Sequence, residues 1–291
     1  MKVLVTGARG QLGQDLCDQL HTRGAELVTP DRQQMDFLRP ESIADTIQAA
    51  SPDWVVNCAA YTRVDNAEAE PEAAFCINRD AARLVAQAAS AVNAGMLHIS
   101  TDFVFSGAHD QPYEETDATG PLSVYGRSKQ EGELAVQEAC PGSIIVRTSW
   151  LYGARGRNFV KTVLRLARER DELRIVSDQT GSPTWTRDLA AALWQLMQRR
   201  AAGVFHYSNG GQASWYEFAC AIVEEARDLG FALKPGRITP IATREYPTPA
   251  TRPAYSVLSR EKIQSLLDQP IPDWRQSLRL MLEELQQCPD C

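Results

Sequence analysis

Apolar runs without polar alternation recur through the first half of the chain, each followed by a stretch with helical spacing. "KVLVT" predicts a strand, "GQLGQDLCDQL" a helix, "AELVTP" a second strand, "ESIADTIQAA" a helix and "DWVVNCA" a third strand. A long helix is then expected over "PEAAFCINRDAARLVAQAASAV", a strand over "MLHIST", a helix carrying Tyr125 and Lys129, and a strand over "SIIVRTS". Strands that are apolar on both faces and separated by helices imply a parallel sheet covered on both sides, hence a doubly wound α/β fold. Beyond residue 150 the pattern loosens: "NFVKTVLRLARER", "TRDLAAALWQLMQRR", "SWYEFACAIVEEA" and "WRQSLRLMLEEL" read as helices joined by loops, and proline is dense from Pro235 to Pro253. The expectation is a domain over 1–150 and a smaller, mainly helical unit over 151–291. That unit is discontinuous, with segments near 185–212 (including "GVFHYSN") and 240–262 returning to the first.

The glycines of "TGARGQLG", Gly7, Gly10 and Gly13, fall between the first strand and the first helix. There they allow a tight turn, close backbone approach to a pyrophosphate, and phosphate charge at a helix N-terminus with Gln11 and Leu12 in its first turn. After the second strand come Asp31 and Arg32, roughly 20 residues past the glycines, where a cofactor ribose is expected. An Asp accepts from the 2′-hydroxyl of NAD and an Arg pairs with the 2′-phosphate of NADP. The pair leaves both open, with NADPH favoured for a biosynthetic reduction and NADH as a second acceptable cofactor. Asp36 and Phe37 are candidates for the adenine, or simply a loop before a helix.

"STDFVFSG" is a strand end carrying a hydroxyl, Thr101, at the carboxyl edge of the sheet, where open α/β proteins bind ligands. "SVYGRSK" puts Tyr125 and Lys129 at i and i+4, one face of a helix with β-carbons about 5–6 Å apart. A tyrosine has a pKa of about 10 and a neighbouring cation lowers it. Carbonyl reduction needs a donor to polarise the carbonyl, an acid to protonate the alkoxide and a cation to tune the acid.

The formal net charge of −7, with no Lys/Arg block, argues against a nucleic-acid or membrane partner and for a small molecule. The N-terminus lacks a secretory pattern, and a cytoplasmic protein is expected. Seven cysteines read as reduced thiols; the lone Cys288–Cys291 C-x-x-C lacks a second ligand pair, and no metal site is expected.

"TGARGQLG", "NCAAYTRVDNAE", "STDFVFSG", "YGRSK", "VRTSWLYG", "NFV", "DQTGSPT" and "RPAYSVLS", in this order, resemble the extended short-chain dehydrogenase/reductase superfamily and, within it, the dTDP-4-dehydrorhamnose reductase family. The resemblance runs over nearly the whole chain. It implies a Rossmann-like fold and NAD(P)H-dependent reduction of the 4-keto group of dTDP-6-deoxy-L-lyxo-4-hexulose to dTDP-L-rhamnose. By matching position it implies Tyr125 as proton donor, Lys129 as holder of the nicotinamide ribose and depressor of the tyrosine pKa, and Thr101 as partner of the carbonyl oxygen. It further implies cofactor contacts at Cys58, Ala59, Ala60 and Tyr61, and substrate contacts at Asp102, Phe103, Trp150, Asn158, Gln179 and Arg252. A homodimer is the candidate assembly. Sugar-nucleotide 4,6-dehydratases carry Asp-Glu after this threonine, whereas here Asp102 precedes Phe103, so elimination lacks its base. A 4-epimerase, or a non-catalytic NADP-binding subunit like that of methionine adenosyltransferase, remains the alternative.

Overall fold

The computed structural model describes residues 1–234 and 236–287. Pro235, the first proline of the proline-dense run, and the Cys288–Cys291 pair lie outside the described residues. Six parallel strands form the main sheet in the spatial order Gly203–Tyr207, Ile144–Thr148, Gly95–Thr101, Trp54–Asn57, Lys2–Thr6, Glu26–Val28. The chain leaves Lys2–Thr6 toward one edge and returns on its other side at Trp54–Asn57. The topological switch of this Rossmann-like sheet therefore lies between those two strands, the place where such sheets open a crevice at their carboxyl ends.

Strand residues alternate between two apolar cores. Val3, Val5, Val56, Leu97, Ile99, Val146 and Phe205 meet the helices Gln11–Thr22 and Thr186–Gln198 on one face. Leu4, Val55, Met96 and Ile145 meet Pro40–Ala50, Ala82–Ala91 and Val124–Ala139 on the other. Burial on both faces is why these strands read as unbroken apolar runs. "GVFHYSN" supplies the sixth strand, and Thr186–Gln198 packs on the same core as the first helix.

A separate core gathers the helices Phe159–Glu169, Trp215–Asp228 and Trp274–Gln287 around Val163, Phe218, Ile222 and Met281. This part carries more β-structure than its helical spacing announced. Glu172–Val176 pairs in parallel with Arg237–Ile241, and two-residue strands pair Leu151–Tyr152 with Thr184–Trp185 and Thr180–Gly181 with Ala213–Ser214. The two-residue strands are too brief for periodicity to mark, and Arg237–Ile241 holds Pro240, which breaks a strand reading.

The long helix expected over 71–92 is continuous but not uniform: α-helical turns Pro71–Phe75 and Ala82–Ala91 flank a π-helical stretch, Cys76–Ala81. π-Bulges are frequent at functional sites, and this one contains the buried Asn78. Among the described residues no helix is long and apolar enough to cross a membrane.

Candidate active site

At the switch point the backbone leaves no room for side chains. Gly7 has φ +66°, and a Cβ there would lie 2.7 Å from the Ala59 nitrogen; one on Gly13 would lie 2.2 Å from the Gly7 carbonyl oxygen. Gly10 closes the turn by donating to the Gly7 carbonyl at 2.9 Å. It also N-caps the helix Gln11–Thr22 with no side-chain cap and no acidic residue in the first turn, an arrangement that suits an anion at the first N–H groups, those of Gln11 and Leu12. Cys58, Ala59 and Ala60 follow the strand Trp54–Asn57, and Cys58 and Ala59 lie against this loop. The next residue, Tyr61, is bracketed by Asn78, which accepts from the Tyr61 N–H at 2.8 Å and donates to its carbonyl at 3.1 Å and to Ser128 Oγ at 2.9 Å. The π-stretch thus ties the 58–61 loop to the helix Val124–Ala139.

Asp31 accepts at Oδ1 from the Gln33 and Gln34 N–H groups, which folds its own turn, and its Oδ2 lies 3.9 Å from the Arg9 guanidinium. Arg32 is exposed beside it. Asp36 likewise closes a turn, accepting from Leu38 N–H and from Arg39 Nε, while Phe37 packs against the core beneath.

The strand Gly95–Thr101 delivers Thr101 at the carboxyl edge, 6% exposed. Its Oγ1 donates to Asp102 Oδ1 at 3.0 Å and accepts from the Phe103 N–H at 3.2 Å. Asp102 is buried, with Oδ2 making no bond in the hydrogen-bond geometry, and burial pushes its carboxyl up to about 6. Ser123 caps the helix Val124–Ala139 through the Gly126 N–H, and Glu68 accepts from the Val124 N–H at 2.8 Å. Gly126 permits the close approach: a Cβ there would lie 2.3 Å from the Phe103 carbonyl oxygen. Phe103 meets the Tyr125 ring edge-on, centroids 5.5 Å apart.

One turn separates Tyr125 and Lys129, both buried. Lys129 Nζ donates to the Ile99 carbonyl at 2.7 Å and lies 3.3 Å from His98 Nε2. Burial lowers Lys129 to about 8, against the opposing effects of Glu133 and Cys58. The Tyr125 phenol is pushed up to about 12, chiefly by burial, with Thr101 pulling it back and Asp102 pushing it further. The expected depression by Lys129 does not arise here, because Nζ is turned to Ile99 and His98 and burial dominates. A phenol held this high stays protonated at neutral pH, the state a proton donor needs.

The expected substrate residues outside this edge already have partners. Trp150 takes φ +46° and stacks on Trp215 at 3.5 Å between centroids, with Gly181 leaving room for its indole. Asn158 caps the helix Phe159–Glu169 through the Lys161 N–H and donates to the Gly153 carbonyl at 2.8 Å. Gln179 donates to Thr243 Oγ1 at 3.0 Å. Arg252 forms a two-pronged pair with Asp65, NH1 to Oδ1 at 3.1 Å and NH2 to Oδ2 at 2.8 Å. That pair joins the 250–259 segment to the loop that positions Tyr61 and Glu68.

Sequence reasoning passed over Arg9, Asn57, Asn78 and His98. For Asn57 and His98 the signal was present: a polar residue inside an otherwise apolar, doubly covered strand must find a partner. For Asn78 it was not, since a helix written in sequence gives no sign of a π-turn.

The family model "RmlD substrate binding domain" matches residues 1–287. A dTDP-4-dehydrorhamnose reductase of Burkholderia thailandensis is 46% identical over 98% of this chain and 99% of its own. Two solved structures superpose with a TM-score of 0.92. A dTDP-4-dehydrorhamnose reductase from Clostridium acetobutylicum is 40% identical over 98% of this chain and 100% of its own. The one from Bacillus anthracis, in complex with NADP, is 38% identical over 97% and 99%. With a glycine cradle at the switch point and a Thr-Tyr-Lys set at the adjoining sheet edge, and with relatives of this identity matched end to end, the chain belongs to the dTDP-4-dehydrorhamnose reductase family.

Proposed function

We propose that the chain uses NADPH to reduce the 4-keto group of dTDP-6-deoxy-L-lyxo-4-hexulose, giving dTDP-L-rhamnose. The observation that carries this reading is Thr101, Tyr125 and Lys129 at one carboxyl edge beside the glycine cradle, in a chain 46% identical to a dTDP-4-dehydrorhamnose reductase. The residues present fit the cofactor: a cradle that any Cβ would fill and an uncapped helix N-terminus suit its pyrophosphate. When bound, the reduced nicotinamide supplies a hydride to the carbonyl carbon.

The chain's own residues do the rest. Gly7, Gly10 and Gly13 with the Gln11 and Leu12 N–H groups hold the pyrophosphate. Arg32 and Arg9 flank Asp31, whose carboxylate is already engaged by its own turn, and this arrangement suits a 2′-phosphate. Cys58 to Tyr61 wall the cofactor, and Asp36 and Phe37 lie toward the adenine. Lys129 holds the nicotinamide ribose. Thr101 Oγ turns to the carbonyl oxygen, and the Tyr125 phenol, kept protonated by its burial, donates the proton that oxygen needs. Asp102 and Phe103 flank the keto group, and Trp150, with the segment that Arg252 fastens to Asp65, borders the sugar nucleotide. In this reading residues 1–150, joined by segments near 185–212 and 240–262, form the cofactor domain, and the remainder of 151–291 forms the sugar-nucleotide unit.

The test is the loss of NADPH absorbance on mixing protein, NADPH and dTDP-6-deoxy-L-lyxo-4-hexulose, with the product read by NMR. The reading requires dTDP-L-rhamnose. Bound NADPH without turnover would instead favour a non-catalytic NADP-binding subunit.

A further inference from the structure

Under the catalytic helix the sheet carries a buried polar row. Thr6, Asn57 and His98 stand side by side on three neighbouring strands, in register Thr6 to Asn57 and Asn57 to His98. Thr6 Oγ1 donates to Asn57 Oδ1 at 2.6 Å, Asn57 Nδ2 donates to His98 Nδ1 at 3.1 Å, and His98 Nε2 faces Lys129 Nζ at 3.3 Å. Thr6 and His98 are 2% and 1% exposed and Lys129 2%, so no bulk water shares these bonds. A row this deep is costly unless every member is satisfied, and it ends on the lysine.

We propose that His98 is a positioning residue for Lys129: with the Ile99 carbonyl it fixes two of the three hydrogen-bonding directions of Nζ and leaves the third for the nicotinamide ribose. The proposal rests on the function proposed above. A lysine side chain is a flexible four-carbon stem with three rotatable donors, so without such a partner Nζ would be tethered by Ile99 alone. The row also tracks the lysine's proton. With Nδ1 accepting from Asn57, the neutral ring carries its hydrogen on Nε2, toward an uncharged Lys129. When Lys129 is an ammonium, Nε2 must accept instead, the ring hydrogen sits on Nδ1, and the Asn57 amide turns its oxygen to it. Thr6 suits both arrangements because a hydroxyl donates and accepts. An amide does not pass protons along, so the row positions and does not conduct. Besides His98 from the sheet, Glu133 on the same helix and Cys58 after the third strand act on Lys129.

The test compares His98→Leu, which removes the bond, with His98→Gln, whose amide can reach the place of Nε2. In His98→Leu the NADPH dissociation constant, read by nicotinamide fluorescence without sugar, should rise about ten-fold or more, and kcat should fall similarly, the range of a hydrogen bond to a charged group. The KM for the sugar should stay within about two-fold. His98→Gln should recover most of both losses. In the unaltered protein, nitrogen-15 NMR of His98 should show the ring hydrogen passing from Nδ1 to Nε2 as pH rises through about 8. Wild-type NADPH affinity in His98→Leu, equal impairment in both variants, or a ring hydrogen fixed on one nitrogen across that range would overturn the proposal. If His98→Leu does not fold, the glutamine variant and the NMR still decide. Failure of the wild-type protein to reduce the sugar while it binds NADPH would count against the function and leave this assignment standing.

Discussion

The carboxyl edge of the main sheet and the segments beyond residue 150 employ their polar side chains differently. At the sheet edge, neighbours hold the Tyr125 ring and two directions of Lys129 Nζ in place. Later in the chain, Asn158, Gln179 and Arg252 are occupied in capping a helix, tying a loop and closing an ion pair. A reaction needs atoms kept in place and free to react, whereas recognition of a large sugar nucleotide can rest on shape and on backbone held by such bonds. The contrast is a contrast between chemistry and scaffolding.

The sharpest way to break it is Tyr125→Phe. Turnover should fall ~10²–10⁴-fold, the usual worth of a positioned acid, with NADPH affinity kept; undiminished turnover would remove the phenol from the chemistry. Next is Gly13→Ala. The added Cβ would sit 2.2 Å from the Gly7 carbonyl oxygen, so the turn must open, and NADPH binding should weaken by more than about ten-fold by titration. Unchanged affinity would mean that the pyrophosphate lies elsewhere.

The dependence on pH separates the two catalytic groups. Lys129, lowered to about 8 by burial, loses its charge as pH rises through that value, and the rate at saturating substrates should decline there. Tyr125, pushed up to about 12 by burial, stays protonated throughout. A rate that is flat to pH 10 would show that the lysine's charge is not used.

On the scaffolding side the effects should be smaller. Arg252→Ala removes the partner that holds the Asp65 carboxyl below its usual range. Asp65 is more than a third exposed, so the pair should be worth about 1 kcal/mol or less. A depressed carboxyl contributes above its unfolded pKa and stops contributing as pH falls through the folded value. The melting difference between wild type and Arg252→Ala should therefore be present at pH 7 and shrink below about pH 4. Smallest in its effect on the chemistry is Asn158→Ala. Loss of an N-cap costs roughly 1 kcal/mol, seen in denaturant midpoints, while kcat should hardly change.

Legibility from sequence divides along the same line. The glycines and the Thr-Tyr-Lys set could be read because each is required by its chemistry at a fixed spacing on a predictable element. The sixth strand could be read because "GVFHY" has strand length and is rich in β-branched and aromatic residues. What spacing could not give was the direction of Lys129 Nζ, set by a strand that precedes it by some thirty residues, or the Tyr125 pKa, set by burial. Nor could it show that Arg252 would be spent on Asp65, a residue distant in the chain; the Asn158 cap, by contrast, is a local bond to Lys161. His98 was legible in principle, as an ionisable residue in the middle of a strand buried on both faces.

The most direct measurement is single-turnover hydride transfer with saturating NADPH and dTDP-6-deoxy-L-lyxo-4-hexulose, run side by side on Tyr125→Phe and Asn158→Ala. Tyr125→Phe should be slowed by at least about 100-fold, and Asn158→Ala should stay within about three-fold of wild type. Equal losses in the two variants, or a Tyr125→Phe protein as fast as wild type, would contradict Tyr125 as the proton donor.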